Sequence, residues 1–99
     1  MTVELILAPE VELDLTEAYV WYERRRLGLG EDFMTSVDAC LQRICRNPES
    51  YETVHQGYRR ALVRRFPFGV FYEHTESSVT VHAIFHTSRK PDDWHERLP

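Results

Sequence analysis

Apolar residues recur at helical spacing through the first half of the chain and alternate through much of the second half. The run VELIL, Val3 to Leu7, is aliphatic and β-branched and predicts a short strand. Ala8-Pro9-Glu10 opens a helix, with proline in the first turn and Glu10, Glu12 and Asp14 at the positive end of its dipole. Val11, Leu15, Ala18 and Tyr22 form its apolar face. Arg24, Arg25 and Arg26 sit where a helix C-terminus favours cations, and Gly28 is placed for a left-handed cap. A second helix begins just after Gly30, carries Phe33, Val37, Leu41 and Ile44 on one stripe with Cys40 beside it, and stops at Asn47-Pro48. The tight Gly28-Leu29-Gly30 link makes the two helices antiparallel neighbours.

Residues 49–57 read as loop. Three strands follow: Arg59–Arg64, Val70–His74 and Val79–Phe85, with Pro67 and Gly69 loosening the first join. In the last strand Val79, Val81, Ala83 and Phe85 alternate with Thr80, His82, Ile84 and His86, so one face is expected to be the core. The tail from Thr87 is polar, with Trp94 as its one large apolar anchor, expected to pack back on the fold. The expected architecture is α+β: β-α-α-β-β-β in one domain spanning residues 1–99. A helical hairpin would cover one face of a small, mainly antiparallel sheet and leave the other face for function or a partner.

Composition narrows the function. The longest apolar runs are a few residues, which excludes a bilayer span, and MTVELILAPEVELD lacks the pattern of a secretory signal. Cys40 and Cys45 would point about 140° apart on a helix, which disfavours a disulfide between them. Two reduced thiols fit a cytoplasmic protein, with neither cysteine in an obvious basic setting. The five histidines make no recognised ligand spacing. His82 and His86, placed on one side of a strand, would lie about 13 Å apart. No metal and no cofactor is expected, and no serine-nucleophile or phosphate-loop motif is present.

Charge is segregated. The net charge is -4, yet residues 53–90 carry six bases against Glu73 and Glu76, while residues 1–49 carry ten acids against five arginines. The basic half includes Arg59-Arg60 and Arg64-Arg65. On a strand, Arg60, Leu62 and Arg64 would point one way, and Arg59, Ala61, Val63 and Arg65 the other. Arginine forks suit phosphate, and Phe66, Phe68, Phe71 and Tyr72 lie next to them in sequence. A solvated strand edge and a carboxylate-rich partner segment are the other readings of the same arginines.

The sequence also carries a resemblance. Trp21-Tyr22-Glu23 at the end of the first helix, Gly28-Leu29-Gly30 before Phe33, the Asn47-Pro48 stop, YRRALVRRFPFGVFYE and VHAIFHTSRKPDDWHER follow in an order that resembles the RelE/ParE superfamily of bacterial type II toxins, over nearly the whole chain. The resemblance implies a toxin of a plasmid-stabilisation-like module, held in a hetero-oligomer by a cognate antitoxin. RelE-like members cut messenger RNA on the ribosome; ParE-like members poison DNA gyrase without hydrolysis. The sequence leans to the ParE side. No tyrosine follows Tyr72 to replace the terminal one of RelE-like enzymes, and a net acidic chain is ill suited to RNA. For the nuclease alternative the candidates are Arg64, Arg65, Tyr72, His86 and Arg89. For target or partner binding they are Arg59, Arg60, Arg64, Arg65, Arg89 and Trp94. A non-toxic chain that binds an antitoxin and regulates transcription is the remaining alternative.

Overall fold

Two helices and a five-stranded sheet make up most of the computed structural model, which describes residues 3–99. Strand β1 (Glu4–Leu7) leads into α1 (Pro9–Arg25), with Pro9 at the start and Arg24 and Arg25 in the last turn. Helix α2 (Leu29–Arg46) runs back along α1. Gly28 has φ +91°, a left-handed conformation that costs a glycine little. Glu23 closes the joint, its carboxylate accepting from the Gly28 N–H at 3.0 Å and the Gly30 N–H at 2.9 Å. A side chain at Gly30 would meet Glu23 and Tyr19 at 2.9 Å, so the helices approach closely only because this position is bare. The Tyr-Glu and Gly-Leu-Gly signals of the sequence are thus two halves of one device, an anion held against the N-terminal amides of α2.

After a short 3-10 turn at Pro48–Ser50, the chain forms β2 (Glu52–His55), β3 (Tyr58–Leu62), β4 (Phe68–His74) and β5 (Ser78–His86). The sheet order is β1-β5-β4-β3-β2, with β1 parallel to β5 and the other neighbours antiparallel. Strand β2 corrects the loop expected at residues 49–57. Gln56 and Gly57, both at positive φ, turn it into β3 as a tight hairpin. The first of the three expected strands also ends earlier: β3 stops at Leu62, so Arg64 and Arg65 belong to a turn and strand alternation does not orient them. The tail adds a further element, α3 (Pro91–His95).

The hairpin face of the sheet buries Val11, Phe33, Val37, Ile44, Val70, Tyr72, Val79, Val81 and Ile84, among others. A second, smaller cluster of Phe71, Ala83, Phe85, Trp94 and Leu98 fills the opposite face. The expectation that Val79, Val81, Ala83 and Phe85 share one face is therefore overturned. Tyr72 pairs with Val81 but Phe71 pairs with Ala83, so His82 is an extra residue in β5 and the strand changes parity there. His82 and His86 consequently do not share a side. His82 bonds Glu73 at 2.6 Å and packs edge-on to Tyr58, whereas the His86 ring sits against Phe68. The face expected to stay open is partly closed by α3, with Trp94 buried against Phe71 as anticipated.

Candidate functional site

Strand β1 pairs with β5 only as far as Val81, while β5 runs on to His86. Beyond that point β5 has no strand neighbour on its outer side, and Asp14 of α1 takes up the Ile84 N–H at 3.1 Å. The same carboxylate oxygen accepts from the Arg97 guanidinium at 2.6 Å, which ties the tail to α1. The gap between the flank of α1 and the outer edge of β5 is a groove of about 460 Å³. Trp21, Tyr22, Phe68 and Ile84 give it an apolar lining, with Glu17 on the α1 side and His86 and Arg89 on the β5 side. Leu5, Ile6 and Leu7 on β1, and Leu13, Val20 and Trp21 on α1, are large apolar residues left exposed on these two elements. Leu13 is 66% exposed and Trp21 52%. Scattered exposed apolar residues need no explanation; Trp21 is the one of the six that also lines the groove, which gives the groove an exposed apolar rim.

The residues singled out in the sequence are dispersed over five places. Arg59 points to the hairpin side, where it donates to the backbone carbonyls of Tyr51 at 2.7 Å and Glu49 at 3.2 Å and so anchors the segment before β2. Tyr72 is buried below it, its hydroxyl donating to the Pro48 carbonyl. Burial pushes the Tyr72 pKa up to about 12, and the nearby Arg59 charge only partly offsets this. Arg60 points to the other face and bonds Glu52 at 2.7 Å. Its stem lies over Gly69, where a Cβ would come within 2.9 Å of Arg60 Cδ.

Arg64 is exposed in the turn after β3. Arg65, at φ +73°, is a non-glycine residue in the left-handed region, and its guanidinium comes within 4.0 Å of Asp32. His86 and Arg89 share the α1 groove. His86 Nδ1 accepts from the Ser88 N–H at 3.0 Å, and the Arg89 guanidinium lies 4.5 Å from the centre of the Phe85 ring. Trp94 is in the tail cluster. The five nuclease candidates are therefore not one constellation: Tyr72 is sealed under the helices, Arg64 and Arg65 are in the turn, and only His86 and Arg89 are neighbours.

Sequence reasoning passed over Asp14, Arg43 and Arg97. Asp14 reads as an acid in a helix start and Arg43 as a cation in a helix end, so both disappear into the dipole pattern. It also found neither cysteine in an obvious basic setting. Cys40 in fact feels the positive charges of Arg43 and Arg64, yet burial outweighs them and raises its pKa, leaving a thiol whose Sγ lies 3.7 Å from the Leu62 carbonyl oxygen. Among the described residues no group of three His, Cys, Asp or Glu side chains is arranged to hold a metal ion, and no helix is long and apolar enough to cross a membrane.

No protein-family model matches the chain, and no curated protein matches it in sequence. Its architecture does have a solved counterpart. A chain from the structure titled "Chromosomal ParDE TA system from P. aeruginosa" superposes with a TM-score of 0.75, covering 86% of this chain and 96% of that one at 12% sequence identity. At that identity the likeness is one of fold, and the fold of this chain is ParE-like.

Proposed function

We propose that this chain is the toxin of a type II toxin–antitoxin module, that it is neutralised by a cognate antitoxin, and that it arrests growth by poisoning DNA gyrase without hydrolysis of its own. The observation that carries the reading is the fold match, which spans nearly the whole of a chain from a ParDE system. The dispersal of the nuclease candidates supports the non-hydrolytic branch. A general acid or base must reach the substrate's reacting atoms, and the Tyr72 hydroxyl is buried and engaged with Pro48. The α1 groove and the apolar residues of β1 and α1 supply a surface for the antitoxin, as an apolar segment laid along a helix flank and an open strand edge.

The test is induction of the chain in growing bacteria, with DNA breakage and messenger RNA cleavage followed in the same cells. Growth arrest with broken DNA and intact messages is expected, relieved by co-expression of the small partner encoded beside it. Message cleavage without DNA breaks would transfer the chain to the nuclease branch. Normal growth would leave it as a non-toxic antitoxin-binding protein.

A further inference from the structure

Strand β3 runs two residues past its last pairing with β2, Arg60 opposite Glu52, so its outer edge is uncovered at Ala61 and Leu62. Helix α2 closes on that edge from the hairpin side, with Cys40 against the Leu62 carbonyl. The result is a concavity of about 350 Å³ on the border between the two faces of the sheet. Three arginines from three different elements line it: Arg43 of α2, Arg60 of β3 and Arg64 of the following turn, together with Ser50, Tyr51 and Glu52.

The charges there are not balanced within the chain. Arg60 has Glu52 as its partner, and Glu52 is itself 60% exposed. Neither Arg43 nor Arg64 has a carboxylate within ion-pair distance among the described residues. Both line the same concavity, and both charges oppose the burial-driven rise of the Cys40 pKa. Three arginines line one concavity with a single carboxylate, Glu52, which pairs with Arg60 alone, so their positive charges are left uncompensated there unless a further anion joins them. A carboxylate is satisfied by a single bidentate fork. Three forks from separate elements suit a ligand with oxygens on several sides. Arg60 is also held in place in advance, its stem lying along the bare Gly69.

We propose that this concavity binds a phosphate group, carried by a nucleotide or by a nucleic-acid backbone. Glu52 acts as the built-in competitor: it holds Arg60 in the free protein and gives way when phosphate enters. This makes the sign of one substitution unusual. Removing the carboxylate in Glu52→Gln frees Arg60 and lowers the local negative charge, so phosphate binding tightens, roughly fivefold. Arg43→Gln and Arg64→Gln each weaken it, roughly tenfold, and the double variant more than either.

The experiment measures binding of pyrophosphate and ADP by calorimetry, and of a fluorescent single-stranded oligonucleotide by anisotropy, to the whole purified chain at low and moderate salt. Thermal melting of each variant accompanies it. Tighter binding by a Glu52→Gln protein that melts like wild type cannot come from misfolding, so that variant keeps the test decisive if an arginine variant is unstable. Arginine-dependent binding of the oligonucleotide but not ADP assigns the phosphate to a nucleic-acid backbone, and the reverse assigns it to a nucleotide. The proposal is overturned if no phosphate ligand binds, if binding ignores Arg43 and Arg64, if Glu52→Gln weakens it, or if a glutamate-rich peptide binds at these arginines more tightly than every phosphate ligand. None of these readouts depends on growth arrest, so the result stands apart from the toxin reading.

Discussion

The two faces of the sheet are covered in different ways. On one lies a hairpin of two long helices, with the stacked rings of Tyr22 and Phe33 each packed 4.9–6.1 Å from those of Phe66 and Phe68. On the other lies α3, five residues long, with Trp94 as its buried anchor and Leu98 of the following segment buried beside it. The first cover is held by packed apolar area, the second by two side chains and a set of polar ties. Arg97 reaches Asp14, the Tyr58 hydroxyl donates to the Pro99 carbonyl, and His95 stacks on His55 at 4.1 Å. A face covered by area opens only with the whole molecule; a face covered by ties opens by itself.

The largest effects separate these modes. Phe33→Ala removes a fully buried ring from the hairpin core and should cost about 4 kcal/mol, seen as a loss of stability in urea that every probe reports together. Trp94→Ala should cost about 3 kcal/mol but act locally. Hydrogen exchange of residues 91–98 should accelerate far more than that of α1 and α2. If the two variants unfold with the same cooperative signature, both covers belong to one unit and the contrast fails.

Arg97→Ala tests the ties alone. It leaves the Asp14 carboxylate, 10% exposed, with only the Ile84 N–H, and should cost about 2 kcal/mol. The loss should appear as exchange in the tail and at Ile84, where tail, α1 and the open edge of β5 meet. An Arg97→Ala protein whose tail exchanges like wild type would show that Trp94 alone holds α3.

The same contrast decides what was legible in the sequence. The stripe Phe33, Val37, Leu41, Ile44 names α2 because a long helix repeats its signal over several turns. Strand β2 offers four residues, ETVH, and α3 five, PDDWH, too short for any period to show. The bulge at His82 is hidden for another reason. Val79, Val81, Ala83, Ile84 and Phe85 are all apolar, and a strand buried on both faces carries no mark of where its parity changes. In the arginine region the residue types were readable and the geometry was not. Pro67 signalled a bend but not that β3 would stop at Leu62, and nothing local to Arg43 announces that a helix end meets a turn some twenty residues later.

The smallest effect is expected at the most buried hydroxyl, and it completes the contrast from the hairpin side. The Tyr72 hydroxyl ties β4 to Pro48, as Arg97 ties the tail, but here a packed core surrounds the tie. Tyr72→Phe keeps the ring and leaves one carbonyl unpaired, so near neutral pH it should cost about 1 kcal/mol. Its signature lies at alkaline pH. The folded protein holds the Tyr72 proton to about 12 against an ordinary value of 10.0, so the native state binds it more tightly than the unfolded chain does. Stability is then undiminished by this group below pH 10.0 and falls as pH rises from 10.0 towards 12. Tyr22 and Cys40 shift in the same direction through burial, so Tyr72→Phe should shallow the alkaline decline without abolishing it. Urea denaturation of both proteins across pH 9 to 12 measures this, and identical slopes would mean that the Tyr72 hydroxyl reaches water and that the hairpin face opens more readily than its packing implies.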